Sequence, residues 1–138
     1  MTTPQPPVTS KTARLIHGAL VAGVLLFAIV GHFALKPSSA DSAGLTLNNR
    51  VLLGLSLGAC VLSLLLQGRV PKRSSDESAD SFWSVAGPYA MRVWAPLEAA
   101  SLLAVLDYTR TRSIAAVAVA AVALLLFLVL NPGYFEGR

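Results

Sequence analysis

Four apolar stretches dominate this chain, at about Leu15–Leu35, Asn49–Leu66, Pro88–Tyr108 and Ser113–Leu130. A helix needs roughly 20 such residues to cross a hydrocarbon layer about 30 Å thick. Lipid offers no partner to a backbone N–H or C=O, so a spanning segment must satisfy these groups internally, as a helix does. The expected fold is therefore all-α: a polytopic membrane protein with four transmembrane helices arranged as two antiparallel hairpins. Only 13% of the 138 residues are charged, about half the share of a soluble domain. The connections leave no room for a separate soluble domain.

The punctuation between the runs sets the boundaries. Residues 1–14 read as a disordered tail, Pro- and Thr-rich, with Lys11 and Arg14 before the first run. A signal peptide is the rival reading there, but its core is usually about 7–15 residues and this run is longer. Residues 15–66 form the first hairpin, with Lys36-Pro37 closing its first span. Residues 67–87 form a polar loop with room for a short interfacial helix, capped by Ser78 or Asp80. Phe82 and Trp83 are expected at headgroup level, as are Tyr89 and Trp94. Residues 88–130 form the second hairpin. Its first span begins at Pro88, or at Trp94 if Ser81–Arg92 lies along the membrane surface. Asn131-Pro132-Gly133 ends the last span, and residues 131–138 read as a solvated tail.

Lys and Arg set the orientation. With the N-terminus inside, Lys11, Arg14, Arg69, Lys72, Arg73, Arg92 and Arg138 fall inside, against Lys36, Arg50, Arg110 and Arg112 outside. This excess places both termini in the cytoplasm. The net charge of +4 is spread over loops and span ends. Such charges set topology and touch anionic headgroups; they form no nucleic-acid-binding face.

Glu98 is the most informative single residue, because a carboxylate near the middle of a span needs a partner, a proton or a task. Two readings stand. In the structural one it is protonated or hydrogen-bonded across the bundle, with Ser56 and Ser63 as candidate partners. In the functional one it handles a proton or cation, with Arg92 and a span 2 serine as neighbours. Pro96, two residues before it, is expected to kink the span. Small residues let helices approach in lipid. Gly54 and Gly58 form a GxxxG step, and Ala19, Gly23, Ala95 and Ala99 offer further small steps, read as contacts inside the bundle rather than between copies.

Catalytic signatures are missing. No HExxH, GxSxG, phosphate-binding glycine loop or paired-carboxylate motif occurs. Cys60 is the only cysteine, and reads as a small packing residue. His17 and His32 are the only histidines and share one span, too far apart to ligate one metal or to hold a bis-His haem within one protomer. No catalytic residue, metal or cofactor is assigned. The expected partners are the lipid bilayer and either further copies or a larger membrane complex, with no nucleic acid.

A charged middle loop, the sequence WAPLEAA at Trp94–Ala100, and an Ala/Leu-rich last span ending in Asn131-Pro132 follow in that order. This layout resembles small four-span proteins of the bacterial cytoplasmic membrane that have no established function. The missing catalytic signatures and the small-residue helix faces lead instead to the expectation of a non-enzymatic scaffold or accessory subunit that associates through those faces. Parts of the chain are also similar to ATP-synthase rotor-ring proteolipids, which carry a mid-membrane carboxylate near a proline. That similarity implies a proton-carrying role for Glu98. The single GxxxG step and the extra span beyond Glu98 depart from the rotor pattern.

Overall fold

The computed structural model describes residues 8–34 and 47–137, and these are all helix and connections. The elements are α1 (Ser10–Ala34), α2 (Leu47–Leu66) with a 3₁₀ turn at Gln67–Arg69, α3 (Ala79–Thr111), α4 (Ile114–Val129) and α5 (Pro132–Glu136). Helices α1, α2 and α3 are each long and apolar enough to cross a membrane, and α4 is a shorter apolar helix. The architecture is that of a polytopic helical membrane protein. Of the polar loop expected at 36–49, residues 36–46 lie outside the described residues and 47–49 belong to α2; the tail at 1–7 also lies outside them.

Local chemistry explains where the helices start and stop. Thr9 accepts the Thr12 amide at 3.2 Å, so α1 begins at Ser10. Residues 10–14 are thus helical, not part of a disordered tail. Ser78 caps α3 by accepting the Ser81 amide at 3.2 Å, and Asp80 sits in the first turn, where the helix dipole favours an acid. Arg112 ends α3 in the left-handed region, at φ 53°, and its amide bonds the Tyr108 carbonyl. Ser113 then caps α4. Asn131 caps α5 through Tyr134 N at 3.0 Å, with Pro132 in its first turn, where its missing N–H costs nothing.

Helix α3 is the axis of the fold. It packs against α1, α2 and α4, whereas α1 and α2 make no substantial contact with each other among the described residues. The first two helices therefore do not form a packed hairpin; each leans separately on α3. The reason lies in the α3 sequence. Trp83, Ala86, Ala90, Val93, Leu97, Ala100, Ala104 and Asp107 are all buried, and their spacing alternates between three and four residues. That is the seam of a helix packed knobs-into-holes. Small Ala residues along it admit close neighbours, which is how helices gain contact energy in lipid.

Helix α3 runs unbroken from Ala79 through Pro88 and Pro96 to Thr111, so the expected interfacial segment and the third span are one continuous helix. Its 33 residues correspond to a rod about 50 Å long, well beyond a bilayer core of about 30 Å. Phe82, Trp83 and Trp94, expected at headgroup level, are fully buried within the protein, and Tyr89 alone of that set is exposed. They are covered because the overhanging turns of α3 form a cap with Val70, Leu130 and Phe135. The C-terminal segment belongs to this cap: Phe135 is buried, so 131–136 is a folded element and not a solvated tail.

Helices α1 and α3 run parallel. His17 lies beside Trp94 near one end, and a Cβ on Gly31 would collide with the Thr109 side chain near the other. The offset between facing residues is nearly constant, which sets Glu98 level with the middle of α1.

Candidate functional site

The Glu98 carboxyl, near the middle of α3, lies on the outside of the bundle. Glu98 is half-buried and lines a shallow groove between α1 and α3 with Gly23, Phe27, Leu102, Leu103 and Leu106. Among the described residues it makes no hydrogen bond or ion pair. Insertion scales put the cost of an acidic or basic side chain at mid-bilayer at about 2.5–3.5 kcal/mol. Among the described residues nothing offsets that cost at Glu98.

The residues expected around Glu98 are not assembled there. Ser56 and Ser63 are buried, but their hydroxyls donate back to Leu52 O at 2.9 Å and Ala59 O at 3.0 Å within α2. Arg92 is exposed, with its guanidinium 5.6 Å from the Tyr89 ring centre. Pro96 is half-buried inside continuous helix. The six small residues also lie elsewhere than expected. Gly54, Gly58, Ala19, Gly23, Ala95 and Ala99 are all exposed, and a Cβ at Gly54, Gly58 or Gly23 would meet nothing within 4 Å. They do not pack the interior of this chain; Ala86, Ala90, Ala100, Ala104, Ala116 and Ala123 do. Cys60 is buried as a packing residue.

Two polar networks that the sequence reading missed close the ends of the bundle. At one end, Glu136 of α5 receives Ser10 Oγ, Trp83 Nε1 and Arg14 Nη2, each at 2.8 Å, while Asp80 accepts the Ser10 amide at 2.9 Å. Burial pushes the Glu136 carboxyl up, but the bonds from Trp83, Ser10 and Arg14, with the Arg14 charge, outweigh it and hold the group below its ordinary value. Just beneath, His17 Nε2 bonds Phe127 O at 2.9 Å and Trp94 Nε1 bonds Leu130 O at 2.7 Å. A carbonyl only accepts, so both rings are donors, and they occupy carbonyls that the end of α4 leaves without a helical partner.

At the opposite end, Tyr108 OH and Arg112 Nη1 meet His32 Nδ1 at 2.7 and 3.0 Å, and Arg112 Nη2 donates to His32 O at 2.9 Å. The guanidinium has no lone pair to offer, so Nδ1 is the acceptor. These contacts tie α1 to the αL turn that ends α3.

The chain matches no protein-family model, no curated protein and no solved structure. Function must therefore be argued from the arrangement itself. Among the described residues no group of His, Cys, Asp and Glu side chains could hold a metal ion. The polar side chains near the ends of the bundle join its helices to one another. Glu98 joins nothing.

Proposed function

We propose that this protein is a non-enzymatic accessory or scaffold subunit of a membrane complex, inserted with both termini in the cytoplasm, which associates through the outer face of α1 and α3. One observation carries the reading: among the described residues Glu98 stands unpartnered in an outward groove between α1 and α3. Intramembrane ionisable groups normally face a bundle interior and pair there, so an outward one marks a surface that another helix covers. Exposed Ala19, Gly23, Ala95 and Ala99 on the same two helices would permit the close approach that lipid-embedded interfaces use.

The test is purification in mild detergent followed by cross-linking and sizing, for the native chain and for Glu98→Leu. The proposal expects a stoichiometric partner or a defined oligomer with the native chain, lost in the variant. A monodisperse monomer for both proteins would contradict it. Proton or cation handling by Glu98 is the competing use of the same residue. It expects Glu98→Gln to abolish ion flux in proteoliposomes while leaving assembly unchanged.

A further inference from the structure

Resting on that reading, we infer that the α1–α3 groove receives a transmembrane helix of a different protein, one bearing a cationic side chain at mid-membrane opposite Glu98. The argument is charge complementarity. Between Arg92 and Asp107, Glu98 is the only ionisable residue on α3. Between Arg14 and His32, α1 offers only His17, which is buried and bonded to Phe127 O. An incoming helix therefore meets one carboxyl group in an apolar trough whose other lining residues are Gly23, Phe27, Leu102, Leu103 and Leu106.

The shape agrees. A Cβ at Gly23 would meet nothing within 4 Å, so the trough is open at the level of the carboxylate. A second copy fits poorly. Docked about a two-fold axis on this face, it brings Glu98 against Glu98, and apart from Glu98 itself no residue lining the trough has a side-chain hydrogen-bond donor. Two carboxylates so placed repel unless they share a proton, so this pairing lacks the charge neutralisation that a cation supplies. A cationic helix supplies donors and removes the charge from lipid in one contact.

The probe is a synthetic Leu/Ala helix of about 23 residues, long enough to span, with one central Lys and an acceptor dye. A second peptide has Leu in place of Lys. The full chain, labelled at its N-terminus, is placed in phosphatidylcholine vesicles, and energy transfer is read against peptide-to-lipid ratio. The Lys peptide should associate about tenfold more tightly than the Leu peptide. Glu98→Leu should erase that difference, and Glu98→Gln, which keeps a hydrogen-bonding group, should retain part of it. Unchanged tryptophan emission in both variants certifies their fold.

Equal association of the two peptides with the native chain overturns the inference, as does a Lys preference that survives Glu98→Leu. Transfer between two differently labelled copies of the chain separates this from the broader reading. If the copies associate while the Lys peptide shows no preference, association stands and the cationic partner falls. If neither peptides nor copies associate above dilution controls, both fall.

Discussion

Trp94 donates its indole N–H to the Leu130 carbonyl oxygen at 2.7 Å, in a setting where both residues are buried. This single bond links the middle of α3 to the end of α4. Trp94→Phe keeps a ring but leaves a buried carbonyl without its donor, a loss of about 1–3 kcal/mol. Unfolding of the purified protein by a denaturing detergent should show that loss with helical content unchanged. His17→Phe should behave alike, because His17 serves the Phe127 carbonyl one turn earlier.

Glu136 predicts an acid-sensitive cap. Its carboxyl is held below the ordinary value in the folded protein. A depressed carboxyl contributes stability that is complete above its unfolded pKa and is lost as pH falls through the folded one. The cap should therefore hold at neutral pH and loosen only at acid pH below the usual glutamate range. Trp83 emission, isolated in a Trp94→Phe background, reports it, since Trp83 Nε1 bonds Glu136 directly. Glu136→Gln should show no acid-dependent step over that range.

The glycines should separate into two classes. A side chain at Gly31 collides with Thr109, and overpacking of this kind costs about 1–3 kcal/mol. Gly31→Val should destabilise the isolated chain accordingly, by the same detergent titration. Gly54→Ala and Gly58→Ala meet open space and should stay within about 0.5 kcal/mol of the native protein.

The parts legible in the sequence are those set by one helix alone. The apolar runs announced the helices, and Ser78 and Asn131 announced themselves as helix-capping and helix-ending residues. The seam on α3 was also readable, since Trp83, Ala86, Ala90, Val93 and Leu97 keep strict alternation of three and four. It was obscured because Trp also favours membrane interfaces, a preference that concerns depth and does not show that Phe82, Trp83 and Trp94 pack inside the protein. What covers them is α5, and five residues, PGYFE, are too few to show a period. The direction of Glu98 depended on knowing that Ser56 and Ser63 bond within their own helix. The small residues misled because alanine and glycine occur on both faces of these helices, and composition does not say which face is covered.

Association should depend on the face and not merely on the charge. Phe27 and Leu106 line the groove with Glu98, whereas Leu65 and Ile114 are exposed and not among its lining residues. Replacing Phe27 or Leu106 by Trp should weaken cross-linking to a partner several-fold. Leu65→Trp and Ile114→Trp should leave it unchanged, as read from cross-linked yield in native membranes.

The central claim is that Glu98 points out of the bundle at mid-depth while Leu97, Ala100 and Ala104 point in. Spin labels on single cysteines along α3, in a Cys60→Ala background, test it through relaxation by oxygen, which concentrates in the bilayer core. With the protein dispersed as isolated chains in vesicles, positions 95, 98, 99, 102 and 106 should show high oxygen accessibility, and 97, 100, 101 and 104 low accessibility. Low accessibility at 98 with high accessibility at 97 and 104 would contradict the account.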